Sequence, residues 1–299
     1  MGPMEADQII DRRRLKRRLT LWRVLAVLGF TAVIWMAWPA GRVGGDYVAR
    51  LDIRGTITDD RRLILAIDQL ATNDAVRAVI VAIDSPGGSV AGGEAIHAAL
   101  TRVAAARPVV ATMGATAASA GYMVALPAAR IFAREGTLTG SIGVILQTFE
   151  ASDLLARLGV RPETIASGPL KDQPSPFRPL TEEGRASLNL VVQDMYGQFG
   201  RMVAAGRRMS EEAVRAVADG RVLSGARARD AGLVDAMGGE REARAWLAEA
   251  RDVPLALPVR AVETRPRFER LLATGTESLA RALAIEWLGP AGLRAVMGP

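Results

Sequence analysis

The chain has 299 residues with 38 basic against 32 acidic side chains, 49% hydrophobic content and only 5% aromatics, enough for one substantial core with appendages or two small domains. With no cysteine and one histidine, His97, it cannot use disulfides, thiol catalysis, cysteine-based metal sites or a His-rich metal centre, and no metal or cofactor is expected. The net charge of +6 would suit nucleic acid, but much of the excess is local, in Arg12, Arg13, Arg14, Lys16, Arg17 and Arg18. No aromatic residue interleaves with them, so a membrane-flanking role is the better reading and no nucleic-acid partner is expected.

Residues 1–18 form this basic tail. From Leu19 to Trp38 the sequence is apolar apart from Thr20, Arg23 and Thr31. About 20 helical residues at ~1.5 Å each match a hydrocarbon core of ~30 Å, so 19–39 reads as a transmembrane signal anchor in contact with lipid. Arg23 is close enough to the end to snorkel, and Trp22, Trp35 and Trp38 fall where indoles favour the interface. A cleaved signal peptide fits less well, because Trp38 and Pro39 stand where small residues should precede the cut. The basic flank places the N-terminus in the cytoplasm. Residues after 40 are then expected outside the inner membrane.

Beyond a glycine-rich exit at Gly41, Gly44 and Gly45, apolar runs alternate with helical patterns. Strands are expected at Tyr47–Ile53, Val76–Ile83, Val109–Met113, Arg130–Ala133, Val144–Gln147 and Val160–Ile165. Helices are expected at Arg62–Leu70, Gly93–Ala105, Ser119–Leu126 and Glu182–Val203. The alternation predicts an α/β core. Ser167 to Pro179, rich in Pro and Gly, reads as a loop. No internal repeat is visible, so 46–250 is expected to be one catalytic module. The tail 251–299 carries an amphipathic pattern over Phe268–Leu288 that predicts a peripheral helix.

Two segments could carry chemistry. Asp84-Ser85-Pro86-Gly87-Gly88 follows a buried strand and reads as a turn whose glycines let backbone N–H groups approach an oxyanion or an extended peptide. The alternative is a plain Pro-Gly-Gly turn. Ser119 lies at a strand-to-helix junction among small residues, Gly114 to Tyr122, where a nucleophile would be accessible and a helix N-terminus would favour a developing oxyanion. Its other reading is a helix N-cap.

A serine nucleophile needs a base. His97 has no motif around it and reads as a packed or half-exposed helix residue. Only two of the basic residues are lysines, Lys16 and Lys171, and Lys16 falls on the wrong side of the membrane. Lys171, in the Pro/Gly loop, is therefore the candidate base, since a guanidinium does not deprotonate in proteins. A solvated loop lysine is the competing reading.

Taken in order, these segments resemble the signal peptide peptidase A family of the Clp-protease/crotonase superfamily. The resemblance runs from Tyr47 to Gly239 through Leu51-Asp-Ile-Arg-Gly55, Ser85-Pro-Gly-Gly88, Ala117-Ala-Ser119-Ala-Gly-Tyr122, Thr137-Leu-Thr-Gly-Ser141-Ile-Gly-Val144, Ser167-Gly-Pro-Leu-Lys171-Asp172, Asp219-Gly-Arg-Val222 and Gly232-Leu-Val-Asp235. It implies a spiral of ββα units, Ser119 as nucleophile, Lys171 as base and Ser141 as the group that holds the lysine amine. It further implies oxyanion donors from the Gly87–Gly88 backbone and from Ala120, a position where the family more often has glycine. A Clp-type protease would need a histidine after its serine, and none follows Ser119. A crotonase-like acyl-CoA enzyme needs no Ser-Lys pair, and a catalytically silent membrane scaffold would not need to keep Ser119, Ser141 and Lys171. The expected activity is that of a serine endopeptidase acting on residual signal peptides or other short polypeptides. The resemblance also implies a homo-oligomer; longer relatives join two modules, so this single module is expected to share its active sites between adjacent subunits.

Overall fold

The alternation along the first strand sets the architecture. In β1 (Tyr47–Ile57) the side chains of Ala49, Leu51 and Ile53 are buried on one face, while Arg50, Asp52 and Arg54 occupy the other. One face of the sheet must therefore be covered along its whole length and the other only in part. The computed structural model describes residues 18–31 and 45–264. Residues 18–31 are helical (α1) with exposed side chains and belong to a unit separate from the compact one, Asp46–Thr264.

Within the compact unit, α2 (Arg61–Thr72) starts where the Asp60 carboxylate accepts from the N–H groups of Arg62 and Leu63, satisfying donors that a helix start leaves unpaired. It returns the chain to β2 (Val76–Gly88), which runs parallel to β1. The unit repeats with α3 (Val90–Ala106), capped by Ser89, and with β3 (Val109–Ala118), parallel to β2. After α4 (Ala120–Ala125) come β4 (Arg130–Ala133) and β5 (Leu138–Gly140), both paired with β3. The chain then leaves the sheet through α5 (Ser152–Arg157), α6 (Glu182–Arg207) and α7 (Glu211–Val217). It comes back as β6 (Val222–Ser224), α8 (Gly225–Asp230), β7 (Ala236–Met237), α9 (Glu240–Arg251) and β8 (Val259–Ala261). The sheet has the order β6-β5-β3-β2-β1-β8, with β4 between β3 and β7 off that path. All pairings are parallel except β5 with β6.

Parallel strands need both faces covered. The larger cluster joins Leu51, Val81 and Met113 of the sheet to Ile67 of α2, Ile96 and Leu100 of α3, Tyr122 of α4 and Phe199 of α6. A smaller cluster on the reverse face packs Val48, Ile80 and Val110 under Ala243 and Leu247 of α9. Burying each large apolar side chain contributes about 1.5–3 kcal/mol. A polar clamp closes the far side: the buried Tyr122 hydroxyl donates to Leu233 O at 2.9 Å, and Arg207 donates to Asp235 at 2.6 and 3.0 Å. Asp235 also accepts from the Ile131 N–H at 2.7 Å. The clamp thus joins α6, β4 and the turn after α8.

Several strands differ from the sequence expectation. β2 does not end in a turn at Asp84. It continues through Pro86 to Gly88, with Gly87 opposite Thr56 and Gly88 opposite Ile57 after an irregularity in register. Pairing with β1 outweighs the local turn preference of Pro-Gly-Gly. No strand forms at Val144–Gln147 or Val160–Ile165, where the residues lie in irregular, mostly exposed backbone. β8 lies past residue 250 and pairs with β1 as the sheet's last strand. No helix among the described residues is long and apolar enough to cross a membrane. Residues 32–39 of the expected anchor, the basic tail up to 17 and the Phe268–Leu288 helix lie outside the described residues.

Burial pushes the Asp235 carboxyl up, but the hydrogen bonds from Arg207 and the Ile131 N–H outweigh it and hold the group below its ordinary value of 3.8. A depressed carboxylate adds stability that is complete above the unfolded value and disappears as pH falls through the lower folded one. Asp235→Asn should therefore cost about 2 kcal/mol at neutral pH, below the ~3–5 of a fully buried pair because the carboxylate is partly hydrated. The penalty should shrink in acid denaturation profiles as pH falls below the carboxyl's ordinary value of 3.8. An equal penalty at pH 2 and pH 7 would show that the ion pair is not its source.

Candidate active site

Ser119 sits where β3 hands over to α4, and its position is fixed from both sides. Ala117 pairs with Ser85 of β2 and with Thr139 of β5, and Ala118 pairs with Gly140. The Ser119 N–H donates to Gly140 O at 2.9 Å, and its carbonyl accepts from Tyr122 and Met123 at 2.9 and 3.1 Å. Held this way, Ser119 adopts φ 54° and ψ −121°, a region that costs a non-glycine residue of order 1–3 kcal/mol. Four non-glycine residues have positive φ among the described residues. Two of them, Arg208 and Asp252, are ordinary left-handed helix C-caps. The other two are Ser119 and Ser141.

The N-cap reading of Ser119 does not hold. Ser89, Thr181, Ser210 and Ser224 each accept a hydrogen bond from the first turn of the helix they precede. Ser119 occupies the same position before α4, yet its hydroxyl makes no capping bond. The oxygen is left facing a cavity of about 640 Å³, whose wall also includes Pro86, Gly88, Ser141, Ile145 and Tyr196.

β2 reaches this cavity because two of its residues have no side chain. A Cβ on Gly87, whose φ is +115°, would lie 2.8 Å from Ser119 Cβ and 3.2 Å from its Oγ. One on Gly88 would lie 2.0 Å from Ile57 O. The Gly87 N–H donates to Ser85 Oγ at 3.1 Å, and the ladder bond to Ile57 O comes from Ser89 at 2.9 Å. The Gly88 N–H, on the cavity wall, takes part in neither. Ala120 is buried as the first residue of α4, and a helix's first N–H has no partner within the helix. Buried Thr139 donates to Ala117 O at 2.7 Å and Thr137 to Gly114 O at 2.8 Å, locking β5 beside β3. Ser141 follows directly, with φ 49° and its N–H donated to Arg221 O at 2.8 Å.

One subunit thus gathers Ser119, Ser141, Gly87, Gly88 and Ala120. It does not bring Lys171 to them. Lys171 lies exposed in the turn over 169–172, its N–H donated to Gly168 O at 3.2 Å. His97 is half-buried on α3 and does not line the cavity. Burial holds its imidazole below the ordinary 6.5 despite the nearby Glu94. Among the described residues no cluster could hold a metal ion. Sequence reading missed Val192 and Tyr196, which line the cavity from α6. Their spacing of one helical turn, in line with buried Phe199 and Val203, was the available signal.

The sequence pattern of peptidase family S49 matches residues 101–254, and that of Clp protease matches residues 52–137. The chain belongs to peptidase family S49. A candidate protease of Synechocystis sp. is 39% identical over 71% of this chain and 77% of its own length. A candidate signal peptide peptidase SppA of Enterococcus faecium is 33% identical over 66% of this chain and 61% of its own. Protease 4 of Salmonella typhi is 36% identical over 70% of this chain but only 31% of its own length. The S49 chain described here is a serine endopeptidase with an α/β fold whose residues 52–137 carry the Clp protease pattern.

Gly87→Ala should leave the fold intact but displace Ser119, lowering peptide hydrolysis by about 10²-fold or more, the cost of a 1 Å misplacement at a reacting group. His97→Gln should leave hydrolysis unchanged. Full activity in Gly87→Ala, or a large loss in His97→Gln at unchanged thermal stability, would contradict this description of the site.

Proposed function

We propose that the protein is a membrane-anchored endopeptidase in which Ser119 of one subunit works with Lys171 of its neighbour, degrading residual signal peptides or other short polypeptides outside the inner membrane. The observation that carries this is the strained, non-capping Ser119 in a cavity whose own chain leaves Lys171 in solvent. In the reading, the neutral lysine amine takes the Ser119 hydroxyl proton as Oγ attacks the scissile carbonyl carbon. The N–H groups of Gly88 and Ala120 receive the oxyanion. Collapse breaks the C–N bond, and the lysine ammonium returns the proton to the departing amine. Water then attacks the acyl-serine ester with the lysine again as base, releasing the acid and restoring Oγ–H. Ser141, on the same wall, orients the amine.

Two further features support sharing between subunits. The segment that carries Lys171 and the first turns of α6 expose large apolar side chains, with Ile145 83%, Phe149 74%, Ile165 97% and Leu190 68% accessible. Burying that arm against another copy would also desolvate the ammonium and favour the neutral amine. The apolar run in 19–39 supplies the anchor, and the Pro86, Val90, Ile145 and Val192 walls of the cavity suit apolar peptides.

Ser119→Ala and Lys171→Ala should each abolish hydrolysis, and Lys171→Arg should do the same without loss of folding, because a guanidinium cannot accept the proton. Co-assembled Ser119→Ala and Lys171→Ala subunits should regain activity, since some interfaces then carry an intact serine and an intact lysine. Background activity in a verified mixed oligomer would remove the shared site, and near-normal turnover by Lys171→Arg would remove the lysine.

A further inference from the structure

Tyr196 belongs to two cavities at once. On one side it lines the cavity of about 640 Å³ that holds Ser119. On the other, with Gly197, Gly200, Ala204 and Val214, it lines a second cavity of about 540 Å³ between α6 and α7. The ring is partly buried against the main core. Its hydroxyl donates to Ala218 O at 2.8 Å. Ala218 and Gly220 are themselves part of the first cavity's wall, and the Gly220 N–H donates to Ile142 O at 3.0 Å, next to Ser141. The phenol is therefore tied to the strap that closes the reaction cavity, so the ring cannot swing without breaking that bond.

Behind the ring there is room. A Cβ on Gly200 would meet nothing nearer than Val214 Cγ1 at 3.8 Å. Nearest the ring α6 places only Gly197, Gly200 and Ala204, while Arg201 of α6 and Glu211 and Arg215 of α7 complete the lining. Tyr196 thus stands between the cavity that holds Ser119 and the space between α6 and α7.

We infer that Tyr196 is a specificity-determining residue: it sets the largest substrate side chain accepted beside the scissile bond by closing the reaction cavity off from the space behind α6. The inference rests on the reading of the first cavity as the peptide site. It predicts selection by size within apolar side chains, with medium aliphatic residues accepted and indole-sized ones refused.

The test uses the full-length chain in detergent and internally quenched peptides of one sequence that differ only in Ala, Leu or Trp on the acyl side of the scissile bond. The wild-type protein should prefer Leu to Trp. Tyr196→Ala should raise the Trp-to-Leu ratio of kcat/KM by about tenfold or more, the scale at which a pocket discriminates by one or two methylenes. Adding Gly200→Leu to that variant refills the second cavity and should return the ratio toward wild type, a reversal that a merely structural role for Tyr196 would not produce. Tyr196→Phe keeps the ring but loses the tie to Ala218, so the ratio should rise less. Should Tyr196→Ala fail to fold, Tyr196→Leu, which keeps an apolar side chain against the core, takes its place with the same expected direction. An unchanged Trp-to-Leu ratio in a folded, active variant overturns the inference. Failure of the unmodified protein to cleave any of the peptides would sink the peptide-site reading as well, and is told apart because it needs no substitution.

Discussion

The site depends on one close approach, that of β2 to the head of α4. Gly87 passes so near Ser119 that no side chain fits between them, and Gly88 passes nearer still to the Ile57 backbone. Because β2 is pinned to β1 through Thr56 and Ile57, and β3 to β5 through Ala118 and Gly140, Ser119 has little freedom to relax. The positive φ at Ser119 follows from this over-determination. Strain of this kind persists only where surrounding pairings hold it. The hydrogen bond from Tyr122 to Leu233 O ties the same helix to the turn that Arg207 holds through Asp235. The rigid sheet thus fixes Ser119, while Lys171 lies in an exposed turn outside it.

That division separates the two halves of the proposed dyad. Ser119 sits on an element fixed by two neighbouring strands. Lys171 sits in a turn with an exposed side chain, on an arm whose large apolar residues Ile145, Phe149 and Ile165 are exposed among the described residues. If the proposed pairing holds, a lone subunit has no lysine beside Ser119. Tyr196 belongs to the fixed half. Its hydroxyl joins α6 to the strap beside Ser141, so the shape of the substrate cavity is set by the same scaffold that sets the nucleophile.

Much of this was legible in the sequence, and what was not has physical causes. The β-rich runs at Val76 and Val109 and the small residues around Ser119 announce buried parallel strands and a tight junction, because those patterns are local. Pro86-Gly87-Gly88 reads as a turn for an equally local reason. Only the long-range ladder with Thr56 and Ile57 makes it strand, and no residue near it in sequence reports that pairing. Val144–Gln147 has the composition of a strand, but no strand pairs with it among the described residues, and a strand without a ladder leaves its backbone groups to solvent. Ser119 and Ser141 were recognisable from their motifs and from resemblance. The strain at both, and the use of Tyr196 by two cavities, are properties of three-dimensional packing that spacing along the chain does not encode.

Ser119, held in a strained backbone and free of any capping bond, is the nucleophile we propose. The most direct measurement is to treat the active, full-length protein with a fluorophosphonate and map the modified residue by peptide mass spectrometry. The account predicts one modified position, Ser119, with loss of hydrolysis in proportion to its occupancy. Stoichiometric inactivation with the label on Ser141 or another serine, or full activity with Ser119 fully modified, would contradict it.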